Sequence, residues 1–376
     1  MSPSIAVRPI GAEDHLGFLQ GRGAASFLQT PAWGRVKTDW AHESLGWYAA
    51  DAPDTLLGVG LALYRRLPRL RRVLAYLPEG PVLDWSRPDV DAHLLALREH
   101  VRGRGAFALR VGPPVAVHRW RAGTVKDAIA APALRSLAQV PADVTDADGL
   151  TVVQTLRRLG FRRLAADAGF AAGQPQYVFQ VPLAGRDEAA LLAGMNQLWR
   201  RNVKKAAKAG VLVEVGGPGD LADFHRLYRQ TAARDHFVPR PLEYFQRMFA
   251  VMTQEDPTRI RLYLARHDGD LVAATTWVRV GRHTWYSYGA SSTAKREVQG
   301  STAIQWRMMR DALAAGADVY DLRGITDTVA SDDPHLGLVR FKVGTGGEAV
   351  EYVGEWDLPL NRALYRAFAL YLRRRG

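Results

Sequence analysis

The sequence predicts an α/β (α+β) fold made of two tandem domains, each an open mixed sheet flanked by helices. Three observations lead to that expectation. The chain has 376 residues, 47% of them apolar, enough to bury two cores rather than one. Short β-rich runs alternate with helical ones, and hairpin signals stand beside helical connections, so the sheets are mixed. The order of elements recurs from Tyr177 onward, which points to an internal duplication of a small α/β domain without a residue-level repeat.

Taken in order, residues 4–9 read as a strand and 12–20 as a helix. Pro31 can occupy a first helical turn, and Trp33, Val36 and Trp40 follow at helical spacing with Lys37 beside that stripe. Strands are expected at 48–50, 56–67 and 73–77, a helix at 88–103, a strand at 106–111, and a helix at 150–160 that ends at a Gly. The second half opens with a strand at 177–183 and a helix at 187–210, then a strand at 211–215 and helices at 221–235 and 241–252. Three strands joined by tight turns follow at 260–266, 271–280 and 283–290. A helix starts after Gly300 with Ser301 and Thr302 as candidate caps, strands follow at 318–322 and 349–357, and residues 360–375 form a terminal amphipathic helix.

Composition narrows the chemistry. There is no cysteine, which excludes disulfides, thiolate metal sites and a Cys nucleophile, and the ten histidines show no metal-binding spacing, so no metal is expected. No apolar run approaches the roughly 20 residues a membrane helix needs, and residues 1–15 have neither a basic nor an apolar leader region, so a cytoplasmic protein is expected. The formal charge of +12 suits a polyanion or an anionic membrane surface, and equally an Arg-rich composition with no partner at all.

Two stretches stand out. In residues 321–347, DLRGITDTVASDDPHLGLVRFKVGTGG, a strand breaks at Gly324, Pro334 keeps the next segment out of helix, and an apolar turn returns to Phe341 and Lys342 before Gly344, Gly346 and Gly347. A Lys on such a glycine-flanked loop offers donors and a full charge to an anion or a developing oxyanion. A surface hairpin with a solvated Lys fits the same residues. Over 187–210, Arg200, Arg201, Lys204, Lys205 and Lys208 cover a broad face, with no acidic residue between Glu188 and Glu214. That face suits a diphosphate or a nucleic-acid backbone, or is simply solvated. REVQGSTAIQ at 296–305 resembles the loop-to-helix cradle for a pyrophosphate in acyl-coenzyme A N-acetyltransferases, although one Gly before a helix is commonly only a helix start. P-loop, dinucleotide and GxSxG signatures are all missing.

FLQTPAWGRVK (27–37), YLPEGPVLDW (76–85), LWRRNVKKAAKAGVLVE (198–214), YDLRGIT (320–326) and GLVRFKVGTGGEAVEYVGEWDLPLN (337–361) resemble, in order and over nearly the whole chain, the FemABX family of aminoacyl-tRNA-dependent peptidoglycan peptidyltransferases. The resemblance implies two acetyltransferase-like (GNAT-like) domains around a substrate cleft. The first would hold residues 1–165 plus 360–376, and the second 166–359, without the coiled-coil arm of some members. It implies transfer of an amino acid from aminoacyl-tRNA to the side-chain amine of the third stem-peptide residue of a peptidoglycan precursor, either lipid II or UDP-MurNAc-pentapeptide. No cofactor is implied. The protein would act as a monomer, with peripheral contact at the inner membrane face.

By the same resemblance, Lys37 and Arg201 would contact the precursor's diphosphate, with Arg200 the alternative to Arg201 if the register shifts by one. Tyr244 and Tyr76 match substrate-side tyrosines, and Phe341 and Lys342 match the acceptor-site pair. Lys204, Lys205 and Lys208 would meet the tRNA. The chain departs from the family at Thr345, where an aromatic residue often separates the glycines, and at Lys205, where a Tyr can follow the Arg. Amine attack on an ester builds an oxyanion that Lys342 can stabilise, worth on the order of 3 kcal/mol for one preorganised donor. No His or carboxylate in these motifs is an evident general base. Two other readings remain open: an acetyl-coenzyme A-dependent N-acetyltransferase of the same fold, and a non-catalytic nucleic-acid or envelope-binding protein.

Overall fold

The computed structural model describes residues 5–67, 70–164 and 173–373. The chain divides into two compact units, one of residues 1–118, 145–176 and 351–376 and the other of 119–144 and 177–350. The division expected at 165/166 falls outside the described residues, as do residues 374 and 375 of the terminal helix. Residues 119–144 belong to the second unit and 351–359 to the first.

The first unit is built on a seven-stranded mixed sheet. Its order is Ile5–Pro9, Ala41–Ala49, Ala52–Arg66, Val73–Leu77, Ala106–Val111, Trp356–Pro359 and Arg162–Arg163. Strand Ala106–Val111 is buried and apolar except at Arg110, because both of its faces are covered. Helix Val90–Gly103 packs against this strand, and the terminal helix Arg362–Arg373 also lies on it, with Phe368 edge-on to Phe107 at 5.3 Å. Trp47, Phe107 and Trp356 anchor this core, and the Trp47 indole N–H donates to the His93 carbonyl at 3.0 Å.

The second unit carries most of the nine-stranded sheet. Its order is Leu212–Gly216, Ile260–His267, Asp270–Val280, His283–Ser291, Val319–Ile325, Tyr177–Pro182, Glu348–Tyr352, Ala116–Arg121 and Val144–Thr145. His283–Ser291 and Val319–Ile325 are parallel and joined by helix Gly300–Ala314; they stay in register only over His283 to Trp285. Trp277, Tyr263, Tyr320 and Phe179 are among its largest fully buried side chains.

The mixed α/β architecture is the expected one, with local differences. The single helix expected at 187–210 is two, Glu188–Gly194 and Gln197–Lys208, because Asn196 caps the second by accepting the Trp199 N–H at 2.9 Å. The strand expected at 349–357 is also two, and Gly354 at φ +80° makes the bend between them. Helix Ala122–Ala130 and strand Ala116–Arg121 had no sequence signal strong enough to single them out.

Candidate functional site

Strand Val319–Ile325 loses its register with Tyr177–Pro182 between Asp321 and Gly324. There Arg323 takes a left-handed conformation at φ +61°. Asp321, 1% exposed, accepts the Arg323 amide N–H at 2.6 Å, the Gln180 side-chain amide at 2.9 Å and faces His283 Nε2 at 3.4 Å. The carbonyls of Arg323 and Gly324 accept from Lys342 Nζ at 3.3 and 2.7 Å.

Lys342 is not on a loop. It lies in helix Leu336–Val343 and is 3% exposed, which corrects both the expected glycine-flanked loop and the surface hairpin with a solvated Lys. Pro334 restricts the residue before it, and the helix begins only two positions beyond. Burial pushes the Lys342 amine down to about 7; Asp321 opposes that effect and Arg323 adds to it. The glycines after it serve close packing. A Cβ on Gly344 would lie 2.2 Å from Trp199 Cδ1, and one on Gly346, at φ +77°, would lie 2.0 Å from the Gly194 carbonyl oxygen. Thr345 is buried, and its hydroxyl donates to the Lys342 carbonyl at 2.6 Å, satisfying one helix-end acceptor.

Phe341 meets the basic helix. Its ring lies 4.9 Å from that of Trp199. The two arginines beyond Trp199 divide the work. Arg200 turns back to donate to the carbonyls of Ala193 and Met195, closing the end of the preceding helix, whereas Arg201, Lys204, Lys205 and Lys208 are exposed. Tyr244 is buried, its hydroxyl bonded to that of Tyr288 at 3.0 Å within an aromatic cluster that includes Phe245 and Tyr228. Burial, then Tyr288, push its phenol well up.

In the first unit, Lys37 follows helix Pro31–Val36, its Nζ 5.2 Å from the Trp33 ring centroid. Gln29 fixes this region: its amide donates to the Pro78 carbonyl at 2.7 Å and its oxygen accepts the Leu61 N–H at 2.9 Å. Tyr76 packs against Trp40, and its hydroxyl donates to the Glu355 carboxylate. Burial raises Glu355 to about 7, an effect Arg110 opposes. Arg110 itself grips Asp357 through two bonds of 2.7 and 2.9 Å.

The residues 296–305 do not present the expected caps. Helix Gly300–Ala314 starts from Gln299 in a left-handed conformation without a side-chain cap, and Lys295 is paired with Asp270 at 2.8 Å.

The FemAB family model matches residues 10–268 and 262–373. The chain belongs to the FemAB family. Relatives within reach of it include the lipid II:glycine glycyltransferases of Staphylococcus saprophyticus, 23% identical over 94% of this chain and 92% of the relative, and of Staphylococcus aureus, 22% identical over 94% and 93%. In fold, this FemAB-family chain is similar to the crystal structure of FemX, with a TM-score of 0.80 at 22% identity over 96% of this chain and 99% of that one. It is also similar to a tandem GNAT protein from the clavulanic acid biosynthesis pathway, with a TM-score of 0.51 at 11% identity over 94% and 98%. The FemAB chain is therefore a tandem acetyltransferase-like fold.

Sequence reasoning missed two buried carboxylates in this FemAB protein: Asp321, in the strand whose carbonyls receive Lys342, and Glu355, the partner of Tyr76. The available signal for Asp321 was a lone carboxylate between Tyr320 and Leu322 in a strand whose neighbours are fully buried.

Proposed function

We propose that this FemAB-family protein is an aminoacyltransferase that moves an amino acid from aminoacyl-tRNA to the side-chain amine of the third stem-peptide residue of a peptidoglycan precursor. The observation that carries this reading is the buried Lys342, its Nζ held by two carbonyls, next to Phe341, which we assign with it to the acceptor site. Family membership and the glycyltransferase relatives support the reaction class. A lipid-linked acceptor follows from those relatives by analogy.

In the reaction, the acceptor amine attacks the ester carbonyl carbon. A C–N bond forms, the carbonyl oxygen takes the charge, and collapse breaks the C–O bond to the ribose. The proton of the amine passes to water or to the departing ribose oxygen. As an ammonium, Lys342 spends two N–H bonds on the carbonyls of Arg323 and Gly324, leaving one for the oxyanion among the described residues. Lys37 and Arg201 are assigned to the diphosphate. The exposed guanidinium of Arg201, against the committed one of Arg200, supports that register. Tyr244 and Tyr76 act as supports of the substrate-facing surface, since their hydroxyls already have partners in Tyr288 and Glu355. Lys204, Lys205 and Lys208 are assigned to the tRNA backbone.

The test is transfer of radiolabelled Gly, Ala or Ser from charged tRNA to purified lipid II and to UDP-MurNAc-pentapeptide, with wild type and Lys342→Met in parallel. Transfer that falls by a factor of about 100 or more in the variant is expected. Transfer from no charged tRNA, together with turnover of acetyl-coenzyme A, would replace this reading with an N-acetyltransferase.

A further inference from the structure

We propose that Asp321 is a positioning residue for Lys342: it builds the turn whose carbonyls receive the Lys342 amine and sets a fixed negative charge in that turn. The inference rests on the reading of Lys342 as the oxyanion donor.

A fully buried carboxylate is costly unless its oxygens are satisfied, and Asp321 lies in a strand between the buried Tyr320 and Leu322. Its Oδ2 takes the Gln180 amide and faces His283, while Oδ1 takes the Arg323 N–H at 2.6 Å. That last bond spans two residues and closes an Asx-type turn. It holds Arg323 at φ +61°, a conformation that residues with a Cβ adopt sparingly. In that conformation the strand skips its pairing with Tyr177–Pro182 between Asp321 and Gly324, and the carbonyls of Arg323 and Gly324 point at Lys342 Nζ. The carbonyl dipoles set where the ammonium sits.

Charge then decides whether it stays an ammonium. The charged groups bearing on Lys342 from the facing strand are Asp321, which favours the protonated amine, and Arg323, which disfavours it. Gln180, on the neighbouring strand, is neutral, and His283 lies against Asp321. On its own helix the other cation is Arg340, and on helix Ala122–Ala130, which packs against that helix, the charged residues are Lys126 and Asp127; all three are exposed. Burial works against the charge, so Asp321 is the group opposing proton loss.

The chain has seven lysines, so ¹³C-lysine labelling resolves the titration of Lys342 directly, its signal being the one missing in Lys342→Met. Asp321→Asn keeps an acceptor for the Arg323 N–H and removes the charge. Its Lys342 midpoint is expected to fall by about one pH unit or more, and the break in the pH profile of kcat/KM should move with it. An unmoved midpoint, with transfer abolished in Lys342→Met, overturns the role of Asp321 and leaves the oxyanion reading intact. Wild-type transfer by Lys342→Met would instead remove Lys342 from the reaction, whatever its midpoint does. Asp321→Ser, which retains an acceptor through a hydroxyl turn, carries the same expectation if Asn does not fold. Unfolding of both variants while Lys342→Met stays folded would make Asp321 a residue of the fold alone and overturn the proposal.

Discussion

The indole of Trp199 is tied to Phe341 twice, by ring contact at 4.9 Å and by an N–H donated to the Phe341 carbonyl at 2.8 Å. It joins the start of the basic helix to the helix that carries Lys342. Asn196 adds a third tie, its amide N–H donating to the Gly344 carbonyl at 3.0 Å. Trp199→Phe keeps a ring and removes the donor. We expect it to cost about 1 kcal/mol of stability in denaturant titration. It should also lower kcat/KM about tenfold, equivalent to about 1.4 kcal/mol. Unchanged transfer with lowered stability would show that the tie serves folding only.

Gly346→Ala should be severe. The added methyl would meet the Gly194 carbonyl oxygen at 2.0 Å, in a backbone conformation that strains any other residue. A loss on the order of 3 kcal/mol is expected in chemical denaturation. Gly337→Ala, in the same stretch, meets nothing within 4 Å on a helix and should be neutral or stabilising by up to about 1 kcal/mol. Equal effects of the two would contradict the close packing at Gly346.

The two arginines of the basic helix should separate by assay. Arg200→Ala removes donors to the Ala193 and Met195 carbonyls and should lower the melting temperature. Arg201→Ala should leave melting unchanged and raise KM for a diphosphate-bearing precursor. Replacing Lys204, Lys205 and Lys208 with Ala should flatten the salt dependence of tRNA binding, by a log–log slope of about 2 to 3 if each contacts a phosphate. A raised KM in Arg200→Ala alone would move the register by one.

Lys342 should leave a mark on the pH profile. As pH rises, the acceptor amine gains its free form up to the ordinary lysine range, while Lys342, held near 7, loses its ammonium. The two trends cancel above about 7, so kcat/KM should rise with pH below that point and level off beyond it. Continued tenfold gains per pH unit up to pH 9 would argue against an ammonium at Lys342 acting in the transition state.

Glu355 bears on stability instead. Its carboxyl is raised from 4.5 to about 7, so the folded protein keeps a proton that the unfolded chain releases. The contribution is fully present below the unfolded value and is lost as pH rises through about 7. Glu355→Gln, neutral at every pH, should therefore melt above wild type at pH 8 and lose that advantage near pH 4. Parallel melting curves at both pH values would rule out a protonated Glu355.

The fold class was legible because apolar periodicity and turn residues are local: Trp33, Val36 and Pro31 sit on the expected helix, and the strands joined at Gly269 and Gly281 form the expected hairpins. Lys342 stood out as a candidate from the motif around it. Its environment was not legible. A helix of eight residues behind a proline carries little periodic signal, and the glycines that suggested a loop are small because Trp199 and Gly194 press on them from far along the chain.

By itself, the sequence determined which residues could bear charge and chemistry, and the alternation of strands and helices that holds them. Only the tertiary structure decided how those groups are buried and paired. It buried Lys342 against the carbonyls of Arg323 and Gly324, spent Arg200 on a helix end, and joined Tyr76 to Glu355 across 279 positions of sequence. Burial and partnership set the charge of an amine or a carboxyl, and both depend on residues distant in sequence that meet only when the sheets are assembled.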